Sequence, residues 1–279
     1  MGKNNNLDDL KIPAVILAAG QGKRLKPYTE NLPKPLVKVG GKPILEYVLT
    51  HLIDAGIRHF FIIIGYKSEK IEQWVEEEFV RDIYCTYEHQ YGKKLGPLGF
   101  SYIHQEDING TGGAALLAEE HVLDNGYSAF LLAYGDILVS TSVYKRIIQE
   151  YLHDIKNNTK KELYLVGNLT EDPSAGGALY YSQDRLTKFI EKPDKSAPKT
   201  DLNNAGIYIF NNDIFNRLKF TPRSVRGEIE LTWPIIEMLE KENKFIKLIR
   251  MTESEFWCDV GTVKVLEDLN QNQQWKNLL

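Results

Sequence analysis

Cysteine is scarce: Cys85 and Cys258 are the only two in 279 residues. That is too few for a disulfide framework or a zinc site of paired cysteines. No apolar run approaches ~18 residues, which excludes a membrane-spanning helix. A cationic excess is also missing. The 34 Lys and Arg residues face 38 Asp and Glu, a net charge of −4, so the overall footprint of a nucleic-acid binder is absent. The opening MGKNNNLDDLK has no apolar core and is no secretory signal. Gly2 follows Met1, but Asn6 stands where a myristoylation motif wants Ser or Thr. The expected location is therefore cytoplasmic, with neither nucleic acid nor membrane as partner. No repeat of ~20–50 residues occurs, so a solenoid is excluded. What is present is an ordinary globular balance, 43% hydrophobic and 26% charged, ample for a buried core.

Residues 1–11 read as a polar, mobile lead, and 12–279 as a single domain of two lobes, 12–155 and 156–279. In the first lobe, wholly apolar runs alternate with helical stripes. Strands are expected at 13–18, 59–64, 100–104 and 129–134. Helices are expected at 43–55, 68–80, 111–123 and 142–153. That rhythm predicts parallel strands joined by helical crossovers, an α/β doubly wound, mostly parallel sheet with its ligand at the strands' carboxyl ends. The second lobe changes character. Short strands at 163–169, 178–182, 186–190 and 205–210 predict antiparallel hairpins along one edge of the sheet. A helix within 229–242, a strand at 245–251 and a last helix from Thr262 close the chain. Pro234 implies that the 229–242 helix begins near it.

The first strand runs directly into LAAGQGKRLKPYTENLPKPL, residues 17–36. Leu17 is followed by the small residues Ala18, Ala19, Gly20 and Gly22, which let backbone amides approach an anion. Lys23, Arg24, Lys26 and Lys34 supply cations in the same stretch, as a polyphosphate ligand would need. Alone, the stretch also fits a glycine turn with solvated lysines. It is not a Walker loop, because Arg24 follows Gly22-Lys23 where Ser or Thr is required. It is not a dinucleotide fingerprint either, because Leu25 occupies the third glycine position. Farther on, the strand at 129–134 ends in Gly135-Asp136, which puts a carboxylate at a strand's carboxyl end. Tyr134 precedes it in the same crevice. Gln105 offers a donor and an acceptor suited to a pyrimidine edge, and Gly110 leaves bare backbone for a base. Thr111 can cap the next helix.

The segments Leu17-Ala-Ala-Gly-x-Gly-x-Arg24-Leu25, Pro33-Lys34-Pro35-Leu36 and Gly41-Lys42-Pro43 together resemble the nucleotidyltransferases that make nucleotide sugars. The resemblance runs from residue 12 to about 265. It implies a Rossmann-like nucleotide lobe with a sugar-side lobe. It also implies transfer of a nucleotidyl group from an NTP to a sugar 1-phosphate, with Mg2+ and release of pyrophosphate. Arg24 would grip the β and γ phosphates, and Lys34 would sit near the α-phosphate and the sugar phosphate. The segment Trp257-x-Asp259-x-Gly261-Thr262 resembles the family's metal motif, so Asp136 and Asp259 would hold the Mg2+. A competing role for Asp259 is a helix N-cap, which suits Thr262 better. Gln105 and Gly110 keep the interval of members reading uracil or thymine, which implies UTP or dTTP, with GTP left open by Gly112-Gly113-Ala114.

Gly177, Glu191-Lys192-Pro193 and Asn204-x-Gly206-x-Tyr208 resemble the sugar-binding segments. Glu191 would accept from sugar hydroxyls and Lys192 would meet the sugar's phosphate. Thr232-Trp233 departs from the Thr-Asp of many relatives, and residues 87–98 have no assigned role. No hexapeptide-repeat region follows, so a second acetyltransferase activity is not expected. Relatives are commonly dimers or tetramers, so a homo-oligomer is expected. Two rival readings remain open on residues alone: a cytidylyltransferase acting on a non-sugar phosphate, and a catalytically silent regulatory homologue.

Overall fold

The computed structural model describes residues 12–173, 176–194 and 196–279. The expected lead at 1–11 lies outside the described residues. β1 (Ala14–Leu17) opens a mixed α/β molecule. A small hairpin of β2 (Lys38–Val39) and β3 (Lys42–Pro43) follows and leads directly into α1 (Ile44–Asp54). β4 (His59–Ile64) precedes α2 (Ser68–Trp74), a π-helical turn at Val75–Phe79, and α3 (Val80–His89). β5 (Gly99–His104), α4 (Thr111–Leu116), α5 (Glu119–Asp124) and β6 (Ala129–Tyr134) come next. β7 (Ile137–Val139) and α6 (Thr141–Lys156) follow. The chain goes on with β8 (Leu163–Leu169), β9 (Gly177–Ser182), β10 (Arg185–Glu191) and β11 (Leu202–Asn211). It continues with α7 (Asp213–Lys219), α8 (Thr232–Glu240), β12 (Ile246–Arg250), β13 (Trp257–Asp259) and α9 (Val263–Gln271).

Nine strands form one sheet in the order β5-β4-β1-β6-β11-β8-β12-β10-β9. β5, β4, β1 and β6 run parallel, as do β8 and β12, whereas β11 runs against both β6 and β8. β10 runs against β12 and β9. The sheet curls at this end, because β9 also pairs with β11 through Asn203 and Ala178. Alternate side chains feed two cores. Ile16, Ile62 and Leu131 pack with Val48, Leu52, Ile147 and Tyr144 of α1 and α6. Val15, Phe61 and Leu132 pack with Ala115, Phe215 and Ile235 of α4, α7 and α8. Strands buried on both faces need apolar residues at every position, which is why β1, β4 and β6 were readable as continuous runs.

The chain after α6 is not a set of antiparallel hairpins alone. α7 and α8 carry the chain far enough for β12 to add parallel to β8. The helix expected to stop at Val80 continues to His89, because Ile83, Tyr84 and Tyr87 extend the stripe that packs on the first core. The helix expected over 111–123 is broken, with Leu117 and Ala118 amides reaching back only three residues, to Ala114 and Ala115. α8 starts at Thr232, so Pro234 sits in its first turn, where a missing N–H costs nothing.

Candidate active site

The loop after β1 is held by close packing. Gly22 has a left-handed backbone (φ 62°) and starts a short 3-10 turn, Lys23–Leu25. A Cβ there would lie 2.8 Å from the Thr29 methyl and 3.0 Å from Lys34 Cβ, so the absence of a side chain at Gly22 makes room for Lys34. Thr29 Oγ1 donates to Gly22 O at 2.8 Å. A second 3-10 turn, Lys34–Leu36, closes with Val37 N donating to Lys34 O. Lys34 is therefore no solvated loop lysine: only 7% of its surface is exposed. Ala18 and Ala19 are buried under the loop, while Gly20, Lys23 and Arg24 are exposed.

The two acids are aligned by a pair of strands that sequence reasoning missed. β7 and β13 pair antiparallel with Asp259 opposite Ile137, one residue beyond Asp136. Val260 N donates to Asp136 O at 3.2 Å. Lys34 Nζ lies 2.5 Å from Asp136 Oδ2 and 3.5 Å from Asp259 Oδ1. Arg24 reaches the same corner: a Cβ on Gly261 would lie 3.1 Å from Arg24 Nη2 and 3.0 Å from Asp259 Oδ2. Burial alone would push the Lys34 ammonium's pKa down, but Asp136 and Asp259 reverse this and hold it above its ordinary value. The Asp259 carboxyl is pushed up by burial and by the neighbouring Asp136, against the pull of Lys34 and Arg24. Asp259 Oδ1 is buried and makes no hydrogen bond. Asp259 does not cap α9; Thr262 does, accepting from Val265 N at 3.4 Å.

A cleft of about 730 Å³ opens beside the acids. Leu17, Ala19, Gly20, Gln105, Gly110, Thr111 and Tyr134 line one part of it, and Gly177, Glu191 and Asn204 another, with Asp136 and Asp259 in its wall. Lys23 and Lys192 are exposed and outside this lining, and Ala18, Gly22, Arg24 and Lys34 are outside it as well. Gln105 is buried, and its Nε2 donates to Asn109 Oδ1 at 3.0 Å. Gly110 lines the cleft and is also held by close packing. Its backbone (φ 99°) directs the missing Cβ at Ile229 O, 2.5 Å away. The space it leaves is thus filled by the 228–229 segment. Thr111 is the first residue of α4 and not its cap; its hydroxyl accepts from Leu231 N at 3.2 Å. Burial pushes the Tyr134 hydroxyl up to about 12. Asn204 spends its amide inside the protein, with Nδ2 donating to Tyr208 at 2.5 Å and Oδ1 accepting from Gly206 N at 3.1 Å.

Glu191 pairs across the β9–β10 ladder with Gly177. Its carboxyl is pushed up by desolvation and then by Glu230, while Lys192 and a hydrogen bond with Thr232 oppose the rise. Glu230, Thr232, Arg226 and Asn203 also line the cleft and were not foreseen. Arg226 pairs with Glu230 at 2.7 Å and Glu228 at 3.0 Å. The Glu-x-Glu spacing at 228 and 230 was the available signal, since an extended segment sends such residues to the same side. Residues 87–98 are pinned by tyrosines: Leu98 N donates to Tyr84 OH at 3.0 Å, and the Tyr87 hydroxyl donates to Asp54.

A family model described as nucleotidyl transferase matches residues 13–275. The chain is 34% identical over 257 residues to the bifunctional protein GlmU of Methanococcus aeolicus, covering 92% of this chain and 53% of that protein. It is 31% identical over 252 residues to the mannose-1-phosphate guanylyltransferase catalytic subunit beta of Drosophila melanogaster, covering 90% and 60%. The chain thus spans about half the length of the GlmU proteins that it matches. In fold it is similar to a UDP-glucose pyrophosphorylase complexed with UDP-glucose, with a TM-score of 0.78 at 21% identity, covering 96% of this chain and all of that one. A UTP-bound UGPase from Acinetobacter baumannii gives a TM-score of 0.75 at 20% identity, covering 96% and 94%.

Proposed function

The chain belongs to the nucleotidyl transferase family, and on that footing we propose that it transfers a nucleotidyl group from an NTP to a sugar 1-phosphate, releasing pyrophosphate. The observation that carries this reading is the meeting of Arg24 and Lys34 with Asp136 and Asp259, the two acids standing in the wall of the cleft. Both substrates are anions, so their approach is governed by charge neutralisation and alignment.

The sugar phosphate's oxygen attacks the α-phosphorus in line, and pyrophosphate leaves. Arg24 holds the β and γ phosphates and the departing pyrophosphate. Lys34, charged despite its burial, faces the α-phosphate and the incoming phosphate. Asp136 and Asp259 are the residues that would hold Mg2+: two oxygen-donor side chains suit an ion that keeps several waters, and Asp259 Oδ1 is buried without a hydrogen bond. Such an ion supplies neutralisation of phosphate charge. Glu191, beside Gly177, accepts from sugar hydroxyls, with Asn204 completing that wall and Lys192 reaching the sugar's phosphate. Gln105, between Leu17 and Gly110, reads the base, which we take as the pyrimidine of UTP or dTTP. The enzyme is read as cytoplasmic and homo-oligomeric.

The test is direct. The protein is incubated with Mg2+, one of ATP, CTP, GTP, UTP or dTTP, and a panel of sugar 1-phosphates, and released pyrophosphate is measured. Release that needs both a sugar 1-phosphate and UTP or dTTP is the expected result. Release with phosphocholine or a polyol phosphate and CTP alone would overturn it, as would no release with any pair.

A further inference from the structure

A lysine with 7% of its surface exposed stays charged only if carboxylates compensate its lost hydration. Lys34 has two, and they are the same two assigned above to a divalent cation. Its Nζ stands 2.5 Å from Asp136 Oδ2 and 3.5 Å from Asp259 Oδ1. Mg2+ needs oxygens at ~2.0–2.1 Å, so an ammonium seated this close to Asp136 and an ion bound by both acids compete for one position. The two contacts are unequal. Asp136 is tightly held, while Asp259 Oδ1 meets Lys34 only in the longer ion pair. The root of the side chain is fixed by Gly22, whose absent Cβ would touch Lys34 Cβ at 3.0 Å, and by the 3-10 turn that follows. The ammonium end lies beyond these two constraints.

We propose that Lys34 is the protein's own stand-in for the divalent cation: with no ion bound, its ammonium bridges Asp136 and Asp259, and entry of the ion displaces it toward the phosphates. The inference rests on the reading of these acids as the cation's ligands. One event then loads the metal and releases the lysine, so the free enzyme never carries two uncompensated acids in its cleft. Lys34 consequently opposes metal binding in the empty enzyme while serving the reaction in the filled one.

Mn2+ is the probe, used without nucleotide, with bound metal read from loss of the free Mn2+ resonance. Wild type, Lys34→Ala and Asp259→Asn are compared. Lys34→Ala is expected to bind Mn2+ about tenfold more tightly, and Asp259→Asn more weakly than wild type. In parallel, the wild-type protein is acylated with acetic anhydride, with and without Mn2+, and each lysine is followed by mass spectrometry. Mn2+ should raise the acylation of Lys34 several-fold and leave the exposed Lys241 unchanged. Mn2+ binding with Lys34 acylation unchanged or slowed would overturn the inference and leave the cation assignment standing. Mn2+ binding equal in wild type and Asp259→Asn, or absent from every variant, would overturn both.

Discussion

Lys34 depends on neighbours that are not next to it in the chain. Gly22 gives it space, and Asp136 and Asp259 keep it charged. Removing it takes a preorganised positive charge from the reacting phosphates, so Lys34→Ala should lower turnover by roughly a hundredfold or more. Asp136→Asn should do the same. Pyrophosphate release and far-UV circular dichroism check both, and near-wild-type turnover in either would falsify the assignment. Gly110 answers to a different constraint. With φ 99° and ψ 173° its backbone occupies a region closed to other residues, and any side chain would strike Ile229 O. Gly110→Ala should cost at least about 2 kcal/mol of stability, read from thermal denaturation. Cys258 lies in the cleft wall, and burial pushes its thiol up to about 12, with Asp259 adding to the rise. It is a neutral spectator, so Cys258→Ser should keep its turnover.

At the scale of elements, the readable parts were those whose own composition reports their burial. β1, β4, β6 and β8 are apolar runs, and α1 and α6 carry stripes. β7 and β13, three residues each, hold no such signal. They exist as strands because each has the other as partner, and that pairing sets Asp259 opposite Ile137. α7 escaped notice because Ile214, Phe215 and Leu218 are too few to show a period before the chain turns. Thr262, by contrast, was legible as a cap from its place before the last helix. Its bond to Val265 N is long, at 3.4 Å, so Thr262→Ala should cost about 0.5–1 kcal/mol. Chemical denaturation measures that cost, and turnover should change little.

Across the whole molecule, a buried ion pair joins α6 to β12. Asp154 on α6 meets Lys247 on β12 at 3.0 Å and Tyr164 OH at 3.1 Å. Burial alone would raise the Asp154 carboxyl, but Lys247 and Tyr164 outweigh it and hold the group below its ordinary value of 3.8. A depressed carboxylate stabilises the fold above that ordinary value, and the contribution fades as pH falls through the folded value. Lys247 keeps a second carboxylate, Glu150, at 2.7 Å, so Asp154→Ala should cost about 1–3 kcal/mol near neutrality. The gap to wild type should narrow on acidification below pH 3.8. Denaturation at several pH values would show a constant gap if the pair contributes nothing.

A third core ties the loop after β1 to the last helical segments. Leu25, Val37 and Ile44 pack with Val260, Leu266 and Trp275. Lys276 Nζ donates to Gly40 O at 2.6 Å. By themselves the residues determined the apolar strands, the small-residue loop with its cations, and a carboxylate at the end of β6. These are local facts, because burial on both faces and backbone access to an anion each leave a mark on composition. Only the tertiary structure decided that Lys34 faces both acids, that Gly110 makes room for Ile229, and that Glu230 shares the cleft with Glu191. Pairing across a hundred residues depends on register and distance, and hydrophobic periodicity records that a face is buried without recording which partner buries it.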